Sequence, residues 1–200
     1  ENQIAKAKLE ALLSQMNPHF TFNALSTIQS FVFNKDAYNS AIYISEVASL
    51  MRQTLDNSAR QTITIEDEIE YLRTYILIEN QRFNNRIQYE LLIDADLDIT
   101  FAEIPTMLLQ PFVENIFKHA FDDNSPNPTF KINFRILDIS LLDILISDNG
   151  KGNTKTQGTH ISKGIAIAKE RIQIMQPTNF DPIKIDFSDS GTTVNIRLII

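Results

Sequence analysis

Glycine is scarce in this chain and gathered in one place. The 200 residues contain five glycines, where an ordinary protein would carry about 7%. Gly150, Gly152, Gly158 and Gly164 fall in one short stretch, and Gly191 is the fifth. A chain that manages without glycine elsewhere is built from regular elements and ordinary turns. Where its glycines gather, the backbone must enter conformations, or approach other atoms, that a Cβ would forbid.

The regular part changes character along the chain. Up to about residue 85 the apolar residues keep the three-or-four spacing of helices. Leu9, Leu12, Leu13, Met16 and Phe20, then Ile28 and Val32, mark a first helix to about residue 33, interrupted at Pro18. Proline removes a hydrogen bond and clashes with the turn behind it, so a kink or a new start capped by Asn17 is expected there. After the polar break Asn34-Lys35-Asp36, a second helix to about Ser58 carries Ile44, Val47, Met51 and Leu55 on one face, with Tyr43 and Leu50 beside it. Two helices joined by a short turn form an antiparallel hairpin. Such a hairpin buries little apolar area, which pairing with a second copy would remedy. Thr64 reads as the N-cap of a third helix, with Glu66, Asp67 and Glu68 suiting its dipole and an end near Asn84-Asn85.

Beyond that point strand patterns appear. Ile87–Ile93, Phe130–Ile136, Leu141–Ile146, Ile183–Phe187 and Thr193–Ile199 read as strands. An apolar helix is expected to open at Ile104-Pro105 and run to about Phe121, and another to span Gly164–Met175. The expected architecture is α+β. A helical region over residues 1–85, pairing as a dimeric four-helix bundle, precedes a two-layer sandwich over residues 86–200.

Composition removes several function classes. A net charge of −7 and a pI near 4.9 argue against nucleic acid as a partner, which needs a basic stripe. With no cysteine there are no disulfides or thiolate metal sites, and a reducing compartment fits. No apolar run approaches the roughly 20 residues that cross a bilayer. The chain begins at Glu1 with neither Met nor a signal-like segment, so a fragment of a longer protein is expected.

Three polar constellations stand out in the second half. Asn115, Lys118 and His119 lie three and four apart on the apolar helix, which places them on one helical face. An amide oxygen, an ammonium and an imidazole together can grip a metal-bound polyphosphate, and Mg²⁺ takes oxygen ligands such as Asn. A solvated polar face would carry the same residues. Asp148-Asn149-Gly150-Lys151-Gly152 ends a strand. Its carboxylate can accept a hydrogen bond from an adenine amino group while its glycines let backbone approach a flat base; a tight turn with a solvated Asp is the plain alternative. Gly158 to Gly164 runs into a helix whose start offers free N–H groups to phosphate, or is a flexible connection. Taken in order with the Gly191-Thr192 hairpin, the set is more specific than its parts.

In the first half, Gln15-Met16-Asn17-Pro18-His19-Phe20-Thr21-Phe22-Asn23 places a histidine just after the helix-breaking proline. A histidine between phenylalanines is usually packed in a core. The alternative is a nucleophile that carries phosphate, with Phe20 and Phe22 anchoring the helix and His19 facing outward. Asn23, one turn on, can orient the ring but cannot act as a base. His160 has no such setting and reads as surface.

These motifs together resemble the LytS-like sensor histidine kinases: QMNPHFTFN at 15–23, LLQPFVENIFKH at 108–119, DNGKG at 148–152, KGIAIAKERI at 163–172 and GTTVNIRL at 191–198. The resemblance spans nearly the whole chain. It implies a dimerisation and phosphoacceptor region followed by a GHKL-type (Bergerat) ATP-binding domain. By it, His19 corresponds to the phosphorylated histidine and Asn115 to the Mg²⁺-binding asparagine. Lys118 and His119 face the phosphates, and Asp148 reads adenine with Gly150 and Gly152 in support. Gly164 corresponds to the helix-start glycine and Thr192 to a threonine near the adenine. ATP and Mg²⁺ are the implied cofactors. A homodimer and the receiver domain of a LytTR-type response regulator are the implied partners, with a cytoplasmic placement tethered to a membrane sensor by preceding segments. Two departures are visible: Gly164-Ile165-Ala166 replaces the usual G-x-G, and no acidic residue adjoins His19. A GHKL-type serine kinase and a degenerate nucleotide-binding scaffold are the rival readings.

Overall fold

The structure, a computed structural model, describes residues 18–138, 140–152, 163–177 and 180–200, with backbone alone at Pro18, His19 and Lys163. The chain divides into two compact units, residues 1–60 and 61–200. Relative to the expected division at 85/86, the third helix goes with the second unit, for it packs there against an aromatic core.

The first unit contains α1 (Pro18–Phe33) and α2 (Ala37–Ser58). Lys35 takes a left-handed φ of 56° in the break, and the Asp36 carboxylate caps α2 by accepting the Asn39 N–H at 3.1 Å. Phe20 and Ala24 are buried on α1, Tyr43 and Leu50 on α2, and Phe31 meets Tyr43 edge-on with ring centroids 5.8 Å apart. Helix α2 carries two apolar stripes, and a two-helix hairpin covers one. The stripe that includes Tyr43 and Leu50 is buried, whereas the expected stripe leaves Ile44, Met51 and Leu55 exposed. Of the two phenylalanines beside His19, Phe20 anchors α1 and Phe22 is exposed. The Asn17 cap and the residues before it lie outside the described residues.

In the second unit β2 (Gln88–Ile93), β4 (Thr129–Asp138), β5 (Leu141–Asp148), β6 (Ile183–Ser188) and β7 (Gly191–Ile199) form one sheet in the order β2-β4-β5-β7-β6. The β2–β4 pair is parallel and the others are antiparallel. The register aligns Ile132 with Ile146 and Val194, Phe134 with Ile144 and Ile196, and Ile136 with Leu142 and Leu198. Because strand side chains alternate faces, these rows make one apolar face. The other layer holds α3 (Ile65–Gln81), α4 (Gln110–Asn115) and α5 (Lys163–Met175). Phe117, just after α4, joins the layers: its ring lies 6.2 Å from Tyr75 of α3 and 6.0 Å from Phe130 of β4. The architecture is the expected α+β sandwich.

Thr64 caps α3 as expected, its hydroxyl accepting the Asp67 N–H at 3.1 Å. The helix expected to open at Ile104-Pro105 is a correction. Glu103–Pro105 is strand β3, paired antiparallel with β1 (Thr62–Thr64). Helix α4 starts later, with Pro111 in its first turn. Two prolines six residues apart offered the same start signal, and only long-range pairing distinguishes them.

Candidate active site

A cavity of about 450 Å³ opens between α4, the end of β5, the start of α5 and the β6–β7 hairpin. Its wall is apolar, from Ile146, Ile165, Ile185, Phe187 and Val194. Asn115 and His119 meet it on one side, and Asp148, Gly152 and Thr192 on another. An apolar slot with a few placed polar groups is the ordinary form of a small-molecule site.

The helix that supplies Asn115 and His119 is not α-helical throughout. Ile116–Ala120 forms a π segment continuous with α4. A π turn holds more residues than an α turn, and such turns recur at functional sites. Of Asn115, Lys118 and His119, expected on one helical face, two meet the cavity. Asn115 and His119 reach the cavity, whereas the Lys118 ammonium pairs with Glu114 at 2.9 Å.

Asp148 ends β5 half-buried. Its Oδ1 accepts the N–H of Gly150 at 2.9 Å and of Thr192 at 3.3 Å, and the Thr192 side chain bonds to it as well. Burial pushes this carboxyl above its ordinary value, and the hydrogen bonds oppose that only in part. The surrounding turn is fastened on several sides. The Asn149 side chain accepts the Thr129 N–H at 2.7 Å and donates to the Asn127 carbonyl at 3.0 Å. The Lys151 N–H donates to the Ala120 carbonyl at 3.0 Å, tying the turn to the end of the π segment.

The glycines here serve backbone against backbone. Gly152 has φ 60°, and a Cβ on it would stand 1.9 Å from the Ser188 carbonyl oxygen. Gly191 has φ 132°, and its Cβ would stand 1.8 Å from the Asp148 carbonyl oxygen. The sequence reading assigned Gly150 and Gly152 to close approach of a base; what they make possible in the structure is the close crossing of this turn with the β6–β7 hairpin and the π segment. Gly164 is also placed differently. A Cβ there would meet the Pro111 side chain at 2.9 Å, so this glycine seats α5 against α4, and its neighbour Ile165 lines the cavity. Gly158 and His160 lie outside the described residues.

His19 is helical, its side chain outside the description, and Asn23 follows one turn later on α1. Among the described residues no group of three His, Cys, Asp or Glu could hold a metal ion, and no helix is long and apolar enough to cross a membrane.

Sequence reasoning missed Glu68. It was read as a first-turn acid suiting the dipole of α3, yet it is fully buried and its Oε1 accepts the Leu109 N–H at 2.9 Å. The signal was available: Glu68 sits on the apolar stripe of Ile65, Ile69, Leu72 and Tyr75, where a solvated acid does not belong. It also missed the cavity wall from Ile185 and Phe187, read only as part of a closing strand.

A family model for histidine kinases matches residues 7–87. The sensor protein LytS of Staphylococcus epidermidis is 29% identical over 211 aligned positions, covering 98% of this chain and 34% of that protein. The sensor histidine kinase BtsS of Escherichia coli K12 is 34% identical over 117 residues, covering 58% of this chain and 20% of that protein. The chain thus spans about a third or less of these relatives. Among solved structures, the histidine kinase domain of the Erythrobacter litoralis EL346 blue-light activated histidine kinase superposes with a TM-score of 0.54 at 14% identity, covering 96% of this chain and 93% of that one. That likeness establishes a shared fold. With the LytS relationship running through almost the entire sequence and the histidine kinase fold beneath it, the chain belongs to the LytS-like sensor histidine kinases.

Proposed function

We propose that this chain is the ATP-dependent kinase core of a two-component sensor, which phosphorylates itself on His19 and passes the phosphoryl group to an aspartate of a response regulator, of the LytTR type. The observation that carries the reading is the cavity, with a half-buried carboxylate at one side and an amide and an imidazole at the other. The residues fit the substrate. The apolar slot suits a purine, Asp148 can accept from its exocyclic amino group, and Asn115 and His119 lie where a polyphosphate would leave the slot. Mg²⁺ would be held by the Asn115 amide oxygen together with phosphate oxygens and water, and would neutralise charge on the transferring group.

In the proposed reaction a ring nitrogen of His19 attacks the γ-phosphorus. The bond from that phosphorus to the β–γ bridging oxygen breaks, ADP leaves, and the ring gives up its proton. Positioning and charge neutralisation supply most of the catalysis in transfers of this kind. Asn23, one turn on, would orient the imidazole by a hydrogen bond. The Lys118 ammonium, paired with Glu114, exchanges that partner for a phosphate if it takes part. The division of labour follows the family: a helical dimerisation and phosphoacceptor region that holds α1 and α2, and an ATP-binding domain that α3 joins as part of the unit 61–200. A homodimer fits the hairpin, whose uncovered side shows Phe22, Leu25, Val32, Ile44 and Met51. Segments preceding this chain would anchor the sensor in the membrane and leave this portion in the cytoplasm. Nucleic acid has no part in the reading.

The test is labelling from γ-labelled ATP. The chain should acquire acid-labile, alkali-stable phosphate, and His19→Gln should lose it while nucleotide affinity stays within about twofold. Undiminished labelling of that variant, or phosphate appearing on a partner's serine with none on this chain, contradicts the proposal.

A further inference from the structure

Helix α4 begins without a cap of its own. Leu109 occupies the N-cap position and no side chain of the local sequence bonds there, although the first N–H groups of a helix need acceptors. The acceptor comes from elsewhere in the chain. Glu68, one turn into α3, is fully buried and its Oε1 takes the Leu109 N–H at 2.9 Å, while the backbone N–H groups of Met107 and Gln110 favour its charged form and its Oε2, also buried, has no hydrogen-bond partner among the described residues. The turn it grips is not relaxed: Met107 has a left-handed φ of 56°. The same turn is held from the other side by Arg171 of α5, which donates to the Thr106 carbonyl at 2.6 Å. Glu68 is therefore where α3, the turn before α4 and α5 are tied together.

Two facts argue that this is more than filling of the core. A buried carboxyl is costly unless strongly bonded, and an apolar side chain on the stripe of Ile65 and Leu72 would pack at no such cost. The group it grips is also the base of the one element that carries Asn115 and His119, six and ten residues further along the same helical run. Burial raises the carboxyl to about 7, against the backbone N–H groups of Leu109, Met107 and Gln110 and the charge of Arg171. Both protonation states keep an oxygen that can accept, so a glutamine can substitute for the function.

We infer that Glu68 is a positioning residue of the nucleotide site, a cap supplied from α3 that fixes where α4 starts and hence where Asn115 and His119 stand relative to Asp148. This rests on the reading of the cavity as an ATP site. It gives the cap a directional consequence. Loss of Glu68 displaces the start of α4, and with it Asn115, and leaves the Asp148 turn, which is fastened to β4 and the β6–β7 hairpin by contacts of its own.

The experiment compares Mg·ATP with adenosine, titrated into the 200-residue chain and followed by calorimetry or, for the weaker ligand, by NMR shifts. For Glu68→Ala, affinity for Mg·ATP should fall at least tenfold while that for adenosine stays within twofold, and Glu68→Gln should restore Mg·ATP binding to within about threefold of the parent. Should Glu68→Ala not fold, Glu68→Asp carries the test. It keeps the carboxyl but draws it away from the Leu109 N–H, and should lose Mg·ATP affinity three- to tenfold with adenosine unchanged. Equal affinities in parent and variants, or a parallel loss of both ligands, overturns the positioning role. An unmodified chain that binds neither ligand overturns instead the reading of the cavity on which it rests.

Discussion

Strand β5 carries two aspartates, and they have opposite fates. Asp143 lies mid-strand on the face away from the helices, 1% exposed, and its carboxylate is fully engaged. Arg135 pairs with it from β4 at 2.5 Å, Arg197 from β7 at 3.3 Å, and the Asn195 side chain donates at 2.8 Å. Burial works against its ionisation, but these bonds outweigh it and hold the carboxyl below its ordinary value. Asp148, five residues on, receives only neutral donors, and burial wins, so its carboxyl is raised. A carboxylate surrounded by cations is committed to holding strands together. One held in place by backbone N–H groups beside an apolar slot is oriented yet keeps acceptor capacity for a ligand. The comparison separates scaffold from site on a single strand, and it can be broken experimentally.

The largest expected effect comes from the turn that frames Asp148. Gly191→Ala puts a methyl into the Asp148 carbonyl oxygen at a backbone angle that favours glycine. Loss of about 3 kcal/mol or more of stability, with loss of nucleotide binding, should appear in urea unfolding and in titration. A variant of parental stability would mean that the crossing of turn and hairpin is not held as described. A smaller effect is expected at the scaffold aspartate. Asp143→Asn should cost about 2 kcal/mol, since it removes a buried charge from two half-exposed guanidinium groups, while nucleotide affinity stays within twofold. The pH dependence follows from the direction of its shift. The folded state releases the Asp143 proton more readily than the unfolded chain, so its contribution is complete above the ordinary carboxylate value and is lost as pH falls through the lower folded one. The stability gap between parent and Asp143→Asn should hold steady from pH 7 to about 4 and narrow below that. A gap that is already closing near neutral pH would show that the cations do not set this carboxyl.

Much of this was legible in the sequence. The alternation in Phe130–Ile136 and Thr193–Ile199 marked two strands with their buried faces, and Thr64 signalled the start of α3 because capping is local chemistry. Asn115, His119, Asp148, Gly152 and Thr192, chosen from motifs far apart in the chain, meet at one cavity. What stayed hidden depends on pairing at a distance. The three-residue strands β1 and β3 have too little pattern to declare themselves, so Pro105 was mistaken for the helix start that belongs to Pro111. Lys118 pairs with Glu114 one turn back, an i,i+4 partner that its helical spacing offered alongside the cavity. The place of Glu68 on the apolar stripe of α3 marks it as buried, but its partner, a backbone N–H of Leu109, leaves no trace in side-chain pattern. In α2 the sequence displayed two apolar stripes and could not say which of them the hairpin would bury.

The measurement that bears most directly on the account is calorimetric titration of Mg·ATP into the parent chain, Asp148→Asn and Asp143→Asn side by side. In Asp148→Asn the amide oxygen stays with the Gly150 and Thr192 N–H groups, so the NH2 group faces an adenine amino group, donor against donor, and the change relieves a carboxyl whose charged form burial disfavours. Asp148→Asn is therefore predicted to bind at least a hundredfold more weakly, about 2.7 kcal/mol, with a melting temperature equal to or above that of the parent. Asp143→Asn is predicted to bind normally and melt lower. Parental affinity in Asp148→Asn, or an affinity loss in Asp143→Asn as large as that in Asp148→Asn, would contradict the assignment of the cavity as the nucleotide site.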